Sequence, residues 1–131
     1  MPRRDIKREV DLQTIEQWIP ENARVLDVGC GRGLFLEHLM KTKNAYAVGV
    51  DSNPEKMQAC VKRGVNVYHG SAEELLTIYP AGFFDWVVIS RTMQELNNPS
   101  AIIADALRVG KNLAVGFINY GFWLIRWNIL T

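Results

Sequence analysis

The chain has 131 residues, 48% of them hydrophobic, and carries 15 Lys+Arg against 14 Asp+Glu for a net charge of +1. That length fits a single domain over residues 1–131 with a true core, and the balanced charge disfavours nucleic acid as a partner. Cys30 and Cys60 form no C-x-x-C pair, which fits free, partly buried thiols in a reducing compartment.

The start, Met1-Pro2-Arg3-Arg4-Asp5, is polar, and no apolar stretch of a signal peptide follows it. From Asp11, apolar residues at Leu12, Ile15, Trp18 and Ile19 predict an amphipathic helix that Pro20 stops. Arg24 to Val28 is an apolar, β-branched run of the kind buried on both faces of a parallel sheet. Gly29, Gly31 and Gly33 follow at alternate positions, with Asp27 two residues before the first. Glycines there let the backbone turn sharply and let a ligand lie against it, and the helix beginning at Leu34 offers unpaired N–H groups. That helix carries Lys41 and Lys43 near its end, where cations suit the helix dipole.

A second strand, Tyr46 to Val50, ends in Asp51. Asn53-Pro54 caps a helix running to about Arg63, with Gly64 behind it. Val65 to His69 is a third strand, and Ser71 starts a short helix through Leu76. Phe84 to Ser90 is a fourth, central strand. Asn98-Pro99 opens a helix closed by Gly110, and Asn112 to Ile118 is the fifth strand. The aromatic tail from Tyr120 reads as the start of a further helix. The stretch from Leu113 to Leu130 is apolar, but Asn119, Arg126, Asn128 and its glycines argue against a membrane span.

Strands alternating with helices predict a Rossmann-like, doubly wound α/β domain with a mainly parallel sheet of about five strands. Ligands in such sheets bind beyond the C-terminal strand ends. The glycine loop, Asp51 with Ser52, the segment Ser71-Ala72-Glu73, and Ser90 all follow strand ends and should converge there. Asp51, eighteen residues after Gly33, suits a ribose diol. Asp27 suits the loop N–H groups or a ligand ammonium. Ser71, Ala72 and Glu73 either meet an adenine ring or cap their helix. Arg91 is either a carboxylate anchor or a surface cation. Cys30 is expected to pack beneath the loop, its backbone forming part of the site. His38 and His69 pair with nothing at ligand spacing, so no metal site is expected. A dinucleotide fingerprint needs glycine at position 34, where this chain has leucine, so NAD is the weaker reading and S-adenosylmethionine the better one.

Val25–Gly33 resembles motif I of the class I S-adenosylmethionine-dependent methyltransferases. Further segments are similar to the MetW family of methionine-biosynthesis proteins: Trp18-Ile19-Pro20, Cys60–Val67, Phe84–Gln94, Leu107–Lys111 and Phe117–Trp123. The resemblance runs from about Asp11 to the end. It implies cofactor contacts at Asp27, Gly29, Gly31, Gly33 and Asp51, with Ser71–Glu73 near the adenine. It also implies a place in methionine synthesis and association with homoserine O-acyltransferase, as a methyltransferase or as a non-catalytic, cofactor-sensing partner. No catalytic residue is assigned. Two departures stand out: Arg32 within the loop, and a sheet expected to lack the last two strands of the full fold. Strand five is then expected to be an exposed edge, which the aromatic tail, with Trp123 and Trp127, either covers or leaves to pair two molecules in a homodimer through strand five or the tail.

Overall fold

The computed structural model describes residues 12–90, 98–117 and 121–126, the last segment and Phe117 by backbone alone. A helix over 12–18 (α1) precedes a sheet and four further helices. In chain order these are β1 (Arg24–Val28), α2 (Leu34–Lys43), β2 (Tyr46–Val50), α3 (Pro54–Lys62) and β3 (Asn66–Tyr68). They continue with α4 (Ala72–Ile78), β4 (Phe84–Ile89), α5 (Pro99–Val109), β5 (Gly110–Phe117) and β6 (Gly121–Arg126).

The sheet order is β3-β2-β1-β4-β5-β6. The first five strands are mutually parallel, and β6 is antiparallel to β5. The order reverses at β1, whose neighbours are β2 and β4, and this switch point is where the glycine loop leaves the sheet.

The period of two along each strand divides the core. Leu26, Val28, Val87, Ile89, Leu113 and Val115 pack with Ile102, Ala106 and Val109 of α5 and Leu75 and Leu76 of α4. Val25, Ala47, Trp86, Val88 and Ala114 pack with Ile15 and Ile19, with Leu36 and Leu39 of α2, and with Cys60 of α3. On that side Trp18 stacks on Trp86 at 6.1 Å between ring centroids. Helices thus cover both faces of the sheet, as the alternating pattern requires.

The helix starts follow the cap chemistry read from sequence. The Asn53 side chain accepts hydrogen bonds from the N–H groups of Glu55 and Lys56, and Pro54 fills the first helical position. Asn98 accepts from Ala101 N, with Pro99 behind it. Ser71 Oγ accepts from Glu74 N at 3.1 Å. Gly64 takes the left-handed φ of +78° just past α3. The end of α2 uses a left-handed Asn44 instead, its side chain bonded to Asn22.

Two expectations for the C-terminal region are corrected. The tail expected as a helix is the strand β6 over Gly121–Arg126. Strand five is therefore not an edge: it pairs with β4 on one side and β6 on the other, in a register running from Asn112 opposite Arg126 to Phe117 opposite Gly121. In covering strand five, β6 takes one of the two roles expected of the aromatic tail. A continuous run such as Phe122-Trp123-Leu124-Ile125 has no helical period, and pairing with β5 supplies every backbone partner a strand needs on one side.

Candidate cofactor-binding site

The site begins with parallel register. Asp27 of β1 lies opposite Gly49 and Val28 opposite Val50, so Asp51 leaves β2 beside the loop that leaves β1. Asp27 and Asp51 are the buried charged side chains among the described residues, at 1% and 4% exposure. A carboxylate is taken out of water only where hydrogen bonds hold it. Asp51 Oδ2 accepts from Gly31 N at 3.0 Å and Oδ1 from Asn53 N at 2.9 Å. Asp27 Oδ1 accepts the hydroxyl of Ser90, across from β1 to the end of β4. Asp51 thus holds a loop N–H, that of Gly31. A carboxylate accepts about four hydrogen bonds, so holding Gly31 and Asn53 does not exclude a diol at Asp51.

The loop itself is fixed by its own backbone. Gly29 N and Cys30 N both donate to Val50 O, and Gly33 N donates to Cys30 O. Gly31 and Gly33 adopt φ of +59° and +82°, a region costly to residues with a Cβ. Their surroundings differ. Among the described residues, a Cβ on Gly31 would meet nothing within 4 Å, so they leave that face of the loop open to a ligand. A Cβ on Gly33 would lie 2.9 Å from Cys60 Sγ.

Cys30 is buried as expected. Its sulfur lies over Gly49, where an added Cβ would come within 2.6 Å of it. Cys60 Sγ donates to Gly31 O at 3.2 Å, which ties α3 to the loop. Burial first, then the neighbouring Asp27 charge, pushes the Cys30 thiol far up from its ordinary value, and burial raises Cys60 too. Both therefore stay largely protonated at neutral pH, where the scarcity of thiolate makes each a slow nucleophile.

Other expected residues divide. Ser52 and Ser71 are exposed, Ala72 and Glu73 half-buried, and Ser90 half-buried at the end of β4. The Ser71 hydroxyl caps α4, which accounts for its side chain without a ligand. Arg32 is exposed. His38 bonds Glu16 at 2.8 Å between α2 and α1, and His69 is exposed. Arg91, Thr92, Met93 and Gln94 lie outside the described residues. Among the described residues no group of three His, Cys, Asp or Glu is placed to hold a metal, and no helix is long and apolar enough to cross a membrane. Sequence reasoning missed Gly49 and Cys60. A lone glycine within the apolar run of β2 is the signal that marks such a close approach.

Solved structures share this architecture. A SAM dependent methyltransferase from Archaeoglobus fulgidus matches with a TM-score of 0.68 at 29% identity, over 82% of this chain and 52% of that one. A SAM-dependent methyltransferase from Thermotoga maritima, titled a possible histamine N-methyltransferase, matches with a TM-score of 0.68 at 27% identity, over 85% and 51%. The strand order, the glycine loop at the switch point and these likenesses define a class I S-adenosylmethionine-dependent methyltransferase fold.

Among curated sequences, the bifunctional methionine biosynthesis protein MetXA/MetW of Rhodopirellula baltica is 28% identical over 97% of this chain and 22% of its own length. The ubiquinone biosynthesis O-methyltransferase of Xanthomonas axonopodis pv. citri is 34% identical over 76% of this chain and 45% of its own. The family described as methionine biosynthesis protein MetW matches residues 8–131, and the chain belongs to that family. It spans less than half the length of these two curated relatives.

Proposed function

We propose that this chain binds S-adenosylmethionine at the switch point of its sheet and acts in methionine biosynthesis. The observation that carries the reading is a buried Asp51 carboxylate beside a glycine loop whose Gly31 face is open. Such a loop admits a ligand against the main chain, and a carboxylate at the end of the neighbouring strand suits a ribose diol. Asp27, held by Ser90, is the group for the ligand's ammonium end. Gly29, Cys30, Gly31 and Gly33 supply the backbone cradle, and Ala72 and Glu73 border the adenine side. Leu34 is 59% exposed where a dinucleotide fingerprint needs glycine against the sheet, which favours S-adenosylmethionine over NAD.

When bound, the cofactor offers an electrophilic methyl group on a sulfonium. Methyl transfer depends on aligning a nucleophile with that carbon more than on acid–base groups. The residues of this chain bind and orient; none of those described is assigned to proton transfer.

A second reading is favoured by the Rhodopirellula relative, which joins a MetXA and a MetW part in one chain. In it, this chain is a cofactor-sensing partner of homoserine O-acyltransferase in the cytoplasm and turns nothing over itself. The readings part in one experiment. Purified chain is added to the acyltransferase with and without S-adenosylmethionine, and both acylated homoserine and S-adenosylhomocysteine are measured. Cofactor-dependent acylation without S-adenosylhomocysteine supports the partner role, and S-adenosylhomocysteine formed with a small acceptor supports the enzyme. Neither signal, with no cofactor bound, defeats both.

A further inference from the structure

Two thiols meet beneath the glycine loop. Cys30 lies within the loop and Cys60 on α3, thirty residues apart in sequence, and their sulfurs are 3.7 Å apart. Both are free cysteines, 5% and 0% exposed. Both sulfurs are directed at one acceptor, the Gly31 carbonyl, at 3.7 Å from Cys30 and 3.2 Å from Cys60. A disulfide bond is about 2.05 Å long, so the sulfurs need approach by only about 1.7 Å. Cys30 has the backbone to absorb that movement. Glycines flank it on both sides, at φ of +81° and +59°.

The consequence falls on the loop. On bonding, Cys60 loses the S–H that donates to Gly31 O, and Cys30 Sγ leaves its seat over Gly49. Gly31 is also the residue whose N–H is held by Asp51. The two sulfurs therefore act on Gly31, where an added Cβ would meet nothing within 4 Å among the described residues.

We propose that Cys30 and Cys60 are a modification site, oxidised by hydrogen peroxide to an intramolecular disulfide that resets the glycine loop. In the first step a sulfur of the pair attacks a peroxide oxygen. The O–O bond breaks, one water leaves and a sulfenic acid forms. In the second step the other sulfur attacks the sulfenic sulfur. The S–S bond forms, the S–O bond breaks and a second water leaves. Two electrons and the two thiol hydrogens pass to the peroxide in all. Burial excludes bulky disulfide oxidants, and the scarcity of thiolate makes the reaction slow at neutral pH.

The test uses the whole reduced chain, without cofactor. It is held in excess hydrogen peroxide, quenched, unfolded, treated with N-ethylmaleimide and weighed. The expected product is a monomer lighter by about 2 Da with no maleimide, returning to two maleimides after reduction. Cys30→Ser and Cys60→Ser each lose the 2 Da product. Amide exchange over residues 29–33 differs between the oxidised and reduced chains. Two alkylated thiols, oxygen adducts without the bond, or a disulfide-linked dimer overturns the proposal. So does a disulfide that leaves exchange in the loop unchanged. On the cofactor reading above, oxidation also weakens S-adenosylmethionine binding by roughly tenfold or more. Failure of the reduced chain to bind that cofactor defeats the reading, while mass and exchange still decide the disulfide.

Discussion

Gly49→Ala separates what a strand prefers from what this strand can hold. By intrinsic preference the substitution should help, because glycine within a strand costs roughly 0.5–1 kcal/mol relative to alanine. Its backbone is ordinary extended chain, so no left-handed strain enters. The packing has the opposite sign. The new Cβ would lie 2.6 Å from Cys30 Sγ, 2.9 Å from Cys30 Cβ and 3.1 Å from Leu36 Cδ1. Leu36 is fully buried and Cys30 is pinned through its N–H to Val50 O, so neither can swing away freely. Overpacking of this kind costs roughly 1–3 kcal/mol; at about 2 kcal/mol, the strand gain leaves a net loss of about 1–1.5 kcal/mol. With a urea m-value of about 2 kcal/mol/M, the unfolding midpoint falls by roughly 0.5–0.8 M at unchanged slope. The same displacement lifts Cys30, and cofactor affinity falls with stability. A midpoint equal to or above that of the parent chain would refute the packing of Cys30 on Gly49.

Gly31→Ala and Gly33→Ala should differ in kind. The first meets open space and costs only the left-handed backbone, about 1–2 kcal/mol, yet abolishes cofactor binding; the second adds a clash with Cys60 and loses roughly 1–3 kcal/mol more in urea unfolding. Asn53→Ala removes the cap of α3 and lowers stability by about 0.5–2 kcal/mol in the same assay, without touching the loop glycines. Stability should also decline in alkali. Both thiols titrate above their ordinary 9.0 when folded, so above pH 9 the unfolded chain sheds protons that the folded chain keeps. Each thiol then removes about 1.4 kcal/mol per pH unit until its folded pKa is passed, and Cys30→Ala with Cys60→Ala flattens the slope. Thermal melts from pH 8 to 10.5 measure it; Tyr79, raised by burial from 10.0, adds only at the upper end.

Local chemistry made much of this fold legible. Asn53-Pro54 and Asn98-Pro99 carry their helix starts within two residues, and the apolar run Val25–Val28 declares a strand buried on both faces. The convergence of Asp27 and Asp51 follows from parallel strands, so it too was readable. What the sequence conceals is set by distant partners. The Asp27–Ser90 bond spans sixty-three residues and the Cys30–Cys60 contact thirty. The tail at Gly121–Arg126 is ambiguous by period, and only pairing with β5 makes it a strand. Ser71 shows the converse: its cap was legible, and the cap explains the residue without a ligand.

The most direct test is calorimetric titration of the chain and of Asp51→Ala with S-adenosylmethionine, with NAD as control. Losing a buried hydrogen bond to a charged group costs about 1.5–3 kcal/mol, so affinity should fall roughly ten- to more than a hundredfold in the variant, with no heat from NAD. Binding that Asp51→Ala leaves unchanged, or no binding at millimolar cofactor, would contradict a site built on the glycine loop and Asp51.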